Sequence, residues 1–262
     1  MPIGGAEEKI RDRTVLRRFV ESCGGENAHV AVIPTASQLE ETGPRYVEIF
    51  GDMGVREATN LPFLERSDCK REDFLAILEE VDGVFMTGGN QLRLSTTIGG
   101  TPVAEALRRR NAEGLVVAGT SAGAAIMSEH MIAYGQEGST PRSDMVTLAP
   151  GLGLTPLAIV DQHFRQRDRL GRLITALTFN PRPIGIGLDE DTAAVIDADD
   201  QLEVVGSGAL TIVDPSEVEY SSMDSARPHD PVCVTGIRLH VLIDGARYDI
   251  ARRVATPPSE GR

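Results

Sequence analysis

Between His29 and Gly123 the chain alternates short apolar runs with amphipathic segments, and this alternation narrows the fold more than any other feature. "HVAVIPTAS" reads as a buried strand entering a polar loop. "YVEIFGDMG" reads as a helix closed by Gly54, and "VREATNLPF" as the next strand. In "KREDFLAILEEVD", Phe74, Leu75, Ile77 and Leu78 have helical spacing. "GVFMTGG" is a strand ending in two glycines. "TPVAEALRRRNAEG" offers Thr101 as N-cap, Pro102 in the first turn and Gly114 past the end. "LVVAGTSAG" is again a continuous apolar strand. Such regular succession closes right-handed βαβ units, so a mostly parallel open sheet with helices on both faces is expected.

From Thr192 onward the character changes. "TAAVIDADDQLEVVGSGALTIVDPSEVEY" and "VCVTGIRLHVLIDGARYDI" are short β runs broken by Asp/Gly turns. They predict a β-rich C-terminal extension, either continuing the same sheet or forming a small appended one. No low-complexity linker or internal repeat divides the chain. The simplest organisation is one α/β domain over residues 1–255 with a disordered tail at 256–262.

Composition removes several function classes. At 41% hydrophobic residues, a chain of 262 residues can bury a substantial core. Its 39 acidic and 26 basic side chains leave a net charge of −13. That balance argues against a nucleic-acid partner and is compatible with a cationic substrate. Cys23, Cys69 and Cys233 are odd in number and widely spaced, without a CxxC or His/Cys pattern. No disulfide framework, metal site or cofactor is expected. "MPIGGAEEKIRDR" has no signal-peptide core, and no apolar run reaches the ~18 residues of a membrane helix. The expected setting is the cytoplasm, without a membrane partner.

The chemistry concentrates after the strand "LVVA". Gly119-Thr120-Ser121-Ala122-Gly123 fits G-x-S-x-G and precedes the helix-compatible "AAIMSEHM", the context a nucleophile elbow requires. The bland reading is a tight strand-to-helix turn. Ala122 N–H, at a helix N-terminus, could hold an oxyanion. A second donor could come from the Gly88-Gly89 turn of "FMTGGNQLRL", where Asn90 would cap the next helix.

A serine hydroxyl needs a base. His29 opens a strand at the far end of the sheet, His130 falls nine residues into the elbow helix, and His229 and His240 lie in the late β region. His163, ending the strand "LAIVDQHF", remains. "GIGLDEDTAAV" places Asp189, Glu190 and Asp191 at another strand end, and alternation alone does not choose among them. "DQHFRQRDRLGRL" gathers Arg165, Arg167, Arg169 and Arg172 directly after the histidine. They form either a solvated helix surface paired with Asp168 or a carboxylate pocket. Helical spacing groups Arg165, Arg169 and Arg172 on one face.

"IGGAEEK", "VIPTAS", "FMTGGNQLRL", "GTSAGAAIMSEHMI", "DQHFRQRDRLGRL" and "GIGLDEDTAAVI" together resemble the cyanophycinase family of serine peptidases. They occur in family order from Ile3 to Ile196. The resemblance implies a class I glutamine-amidotransferase-like (flavodoxin-like) sheet and hydrolysis of cyanophycin to β-Asp-Arg dipeptides. It implies Ser121 as nucleophile, His163 as base and Glu190 as acid, with Ala122 and Gly89 holding the oxyanion. Gln91, Asp161, Gln162, Arg167, Arg169 and Arg172 match the family's substrate pocket, which replaces Arg165 by Arg167 in the arginine set. A homodimer is also implied. Rival readings are a peptidase for other isoaspartyl or acidic peptides and a catalytically silent binding protein. Departures are Asn90 for the usual carboxylate, Arg165 and Asp168 where small residues are commoner, and only Met1-Pro2-Ile3 before "GGAEEK". A shortened edge strand or a start placed too late would each account for the last.

Overall fold

The computed structural model describes residues 1–259. The N-terminal half runs β1 (Pro2–Ile3), α1 (Thr14–Ser22), β2 (His29–Ile33), α2 (Thr42–Asp52), β3 (Glu57–Asn60), α3 (Glu72–Glu80), β4 (Gly83–Met86), α4 (Gln91–Ile98), α5 (Pro102–Ala112), β5 (Val116–Thr120) and α6 (Ala122–Ala125). The remainder runs β6 (His130–Gly135), β7 (Val146–Pro150), β8 (Ala158–Gln162), α7 (Leu170–Phe179), β9 (Ile184–Leu188), β10 (Thr192–Ile196), β11 (Gln201–Gly206) and β12 (Ala209–Asp214). It ends with β13 (Tyr220–Ser221), β14 (Val234–Thr235), β15 (Arg238–Ile243), β16 (Arg247–Asp249) and β17 (Val254–Thr256).

A nine-stranded sheet has the order β17-β16-β11-β10-β1-β5-β4-β2-β3. Strands β1, β5, β4, β2 and β3 are mutually parallel, as the alternation required. Of these, β2, β4 and β5 read as largely apolar runs because both faces are covered, whereas the edge strand β3 is polar and partly exposed. Val30, Val32, Phe85 and Ala118 pack against α1 and α2. Their neighbours Ala31, Ile33, Val84, Met86 and Val117 face α3, α4 and α5. Tyr46, Phe50 and Phe19 gather around Phe85 at centroid distances from 4.9 to 5.5 Å, which docks α1 and α2.

Both readings of the late β region are realised. Strands β10, β11, β16 and β17 continue the large sheet in antiparallel fashion. A second sheet, β15-β12-β9-β8, packs on that half. Ile184, Ile186, Leu188, Leu210 and Ile212 meet Ala194, Leu202, Val204 and Tyr248 between the sheets. Helix α7 covers the far side with Leu173, Ala176 and Leu177. Because β8 and β9 are parallel, with Gln162 opposite Leu188, the His163 and Glu190 loops leave the same edge.

Three expectations need correction. The elbow helix is a single turn, and His130 begins β6. The carbonyls of Ile126 and Met127, which a longer helix would use, instead accept Leu152, Leu154 and Thr155 N–H groups. The short β1 is not an edge strand but lies inside the large sheet, between β10 and β5. Thr256 of the expected tail is ordered in β17 opposite Arg247, and residues 260–262 lie outside the described residues. Among the described residues no helix is long and apolar enough to cross a membrane.

Candidate active site

Ser121 stands alone between β5 and α6 at φ 53°, ψ −109°. A side chain in that region costs about 1–3 kcal/mol, a strain typical of positions that present a reactive group. The flanking glycines have a steric reason. A Cβ on Gly119 would come within 2.2 Å of the Gly123 carbonyl oxygen. One on Gly123 would lie 2.3 Å from the Met86 oxygen. The motif therefore closes β5 tightly onto α6 and β4.

His163 and Glu190 arrive from the other sheet. His163 Nε2 is 2.9 Å from Ser121 Oγ, and its Nδ1 is 2.7 Å from Glu190 Oε1. A carboxylate only accepts, so the Nδ1 proton faces Glu190 and the Nε2 lone pair faces the serine hydroxyl. Partial burial pushes the His163 pKa below the ordinary 6.5. The Glu190 contact opposes that shift and the nearby Arg167 charge adds to it, so the neutral, basic form prevails at pH 7. The three adjacent carboxylates divide as alternation allows. Buried Asp189 accepts from Arg165 N at 3.0 Å and Arg165 Nε at 3.2 Å. Asp191 accepts from Glu8 N and the Ser207 hydroxyl, which leaves Glu190 for the histidine.

Ala122 opens α6, and first-turn N–H groups have no intrahelical acceptor. Across from it, a Cβ on Gly88 would lie 3.3 Å from Ser121 Cβ, so the Gly88-Gly89 turn borders Ser121. Asn90 caps α4 through Leu92 N at 2.9 Å. Gln91 is anchored by Nε2 to the Ile132 and Ala133 carbonyls at 3.1 and 2.9 Å.

The arginines do not act as one face. Arg172 forks onto fully buried Asp161, with Nε to Oδ2 at 2.6 Å. Arg169 reaches the Gln162 carbonyl at 2.6 Å and Asp161 at 3.5 Å. Arg169 is only 7% exposed, and its buried Nε has no hydrogen-bond partner among the described residues. Burial, with Arg172 and Arg167 nearby, pulls its pKa down to about 10 despite Asp161. Two buried cations sharing one carboxylate leave a net positive site. Arg167 lies in a single 3₁₀ turn before α7, exposed to solvent. Arg165 turns away to Asp189.

The sequence pattern of peptidase family S51 matches residues 2–205. The chain belongs to this family. It is 45% identical over 257 residues to a cyanophycinase of Trichormus variabilis, covering 97% of this chain and 86% of that one. It is 44% identical over 250 residues to a cyanophycinase of Geminocystis herdmanii, covering 94% and 92%. In fold it is similar to a peptidase from an acI-B1 Actinobacterium, with a TM-score of 0.67 at 21% identity over 95% of each chain.

One part of this S51 site escaped the reading from spacing and periodicity. Gly4 and Gly5 lie between the histidine and acid loops. A Cβ on Gly4 would sit 1.9 Å from the Asp189 oxygen. Gly5, at φ +98°, faces the His163 ring itself. The pair stands in the "IGGAEEK" stretch of the resemblance, but by itself a Gly-Gly after an apolar start is common in turns of every kind and points to no role.

Proposed function

We propose that this protein is a serine exopeptidase that hydrolyses cyanophycin, the arginine-bearing poly-aspartate, to β-Asp-Arg dipeptides. The observation that carries the reading is the continuous chain from Ser121 Oγ through His163 to Glu190, at 2.9 and 2.7 Å. His163 Nε2 takes the Ser121 proton as Oγ attacks the α-peptide carbonyl between successive units. Ala122 N–H and an N–H of the Gly88-Gly89 turn hold the oxyanion. His163 then passes its proton to the leaving amine, and water, deprotonated by the same imidazole, releases the acyl group. Arg167, Arg169 and Arg172, framed by Asp161, Gln162 and Gln91, receive substrate carboxylates. The unpartnered Nε of Arg169 supports this, because a buried cation short of partners favours an incoming anion.

A single peptidase domain that runs through β17 carries the site. The order β3-β2-β4-β5 repeats the 2-1-3-4 order of flavodoxin-like sheets, which supports the class I glutamine-amidotransferase-like assignment. The resemblance also carries the reading of a cytoplasmic homodimer, which sedimentation equilibrium and cell fractionation test. Purified protein incubated with cyanophycin granules releases β-Asp-Arg, and Ser121→Ala does not. A wild type that leaves the granules intact overturns the substrate assignment.

A further inference from the structure

Beside the triad lies a buried carboxylate that the mechanism leaves idle. Glu7 is 3% exposed. It accepts hydrogen bonds from the Tyr46 and Thr120 hydroxyls and pairs with Lys9 Nζ at 3.0 Å. Thr120 is the last residue of β5 and directly precedes Ser121. Tyr46 is held by α2 with its ring 4.9 Å from Phe85 of β4, so the carboxylate ties three separate elements together. Lys9 lies over that same ring, 5.6 Å from its centroid, and also donates to the Glu7 carbonyl at 3.1 Å.

What Glu7 anchors is a segment touching every triad loop. Ser121 N donates to the Ile3 carbonyl at 3.0 Å, His163 N to Gly4 at 2.8 Å and Asp191 N, beside Glu190, to Gly5 at 2.9 Å. Three consecutive carbonyls thus receive the backbones that carry nucleophile, base and acid. Two of those backbones come from loops of the second sheet, so this segment is where the two sheets are registered at the site. Ile3 is secured by strand pairing to Ala193 and Thr120. Past Gly5 no strand pairing holds the segment, and Ala6 turns at φ 48°.

We propose that Glu7 is a positioning residue, whose buried carboxylate clamps the Ile3–Glu7 segment to Thr120 and Tyr46 so that its three carbonyls hold the Ser121, His163 and Glu190 loops in register. The inference rests on the triad reading above. Removing the clamp leaves the arginine pocket intact but loosens the histidine-serine approach. The loss therefore falls on kcat rather than KM, since an ångström of misplacement costs about 10²-fold.

The test compares Glu7→Ala and Glu7→Gln with Leu16→Ala, a core truncation in α1. Steady-state kinetics on cyanophycin and an NMR titration of the His163 ring without substrate supply the readouts. Glu7→Ala is expected to lower kcat about 100-fold with KM within about twofold. Its His163 midpoint is expected to move up toward the ~6.5 of a solvated imidazole. Glu7→Gln, which keeps one acceptor for a hydroxyl, retains more of kcat than Glu7→Ala. If Glu7→Ala does not fold, Glu7→Gln and the Tyr46→Phe, Thr120→Val pair give the same comparison. An unmoved His163 titration, a reversed order of the Glu7 variants, or equal changes in a Leu16→Ala protein of matched Tm loss overturns the inference. A wild type inactive on the polymer sinks the substrate reading alone, because the titration still reports the clamp.

Discussion

Gly5 lies directly against the His163 imidazole: a Cβ on Gly5 would come within 2.3 Å of Cε1 and 2.5 Å of Nε2. The ring that must approach Ser121 is therefore backed by bare main chain. Gly5→Ala adds both a collision and a strained φ of +98°. The expected outcome is a fall in kcat of about 10²-fold or more, because the ring must shift away from Oγ. Steady-state kinetics check this, and an unimpaired Gly5→Ala enzyme would show that the ring tolerates displacement.

Activity should fall on the acid side as His163 takes up its proton. Burial holds that pKa below 6.5, so the acid limb of kcat/KM is expected below pH 6.5. Arg167 contributes to the depression through its charge. Arg167→Ala removes a cation that disfavours imidazolium, so the pKa rises and the limb moves to higher pH. The position of the limb, not its height, is the quantity to compare.

Two ion pairs beside the site should differ sharply in stability. Asp161 is fully buried, and its removal strands Arg172 and Arg169 as buried cations. Asp161→Ala is expected to destabilise by about 3–5 kcal/mol in urea unfolding. Arg165 is 75% exposed, and Asp189 keeps its bonds to the Arg165 and Ala209 backbone N–H groups without that side chain. Arg165→Ala should cost under about 1 kcal/mol. Equal losses would contradict the division between a buried framework pair and a surface pair.

Arg169 offers a way to separate binding from chemistry. Its buried, unpartnered Nε leaves it a donor to spare for the substrate carboxylate proposed above. A charge-assisted hydrogen bond contributes about 1.5–3 kcal/mol, so Arg169→Gln should raise KM roughly 10–100-fold with a smaller change in kcat. Kinetics over a range of cyanophycin concentrations decide it; a loss confined to kcat would move Arg169 out of the binding pocket.

The parallel half of the fold was legible because strands buried on both faces must be largely apolar, and "HVAVI", "GVFM" and "VVAGT" are. The serine elbow was legible because close backbone approach leaves only glycine at Gly119 and Gly123, a requirement that survives in the string of letters. The length of the elbow helix was not, since the bonds that end it come from residues 152–155, remote in sequence. Likewise, helical spacing grouped Arg165 with Arg169 and Arg172, whereas the chain makes a 3₁₀ turn at Arg165–Arg167 and sends Arg165 to Asp189.

By itself the sequence determined the local requirements: which runs are buried, where the chain turns sharply, and which nucleophile, bases and cations exist. Only the tertiary structure decided which of them meet. His163 and Glu190 reach Ser121 because a second sheet stacks on the first and presents two parallel strand ends at the same edge. The resemblance had already pointed to Glu190, and the structure supplies the physical reason, because Asp189 and Asp191 are engaged by other partners. Those partners are long-range contacts, 24 and 16 residues away in the chain, and no periodicity within one segment encodes them.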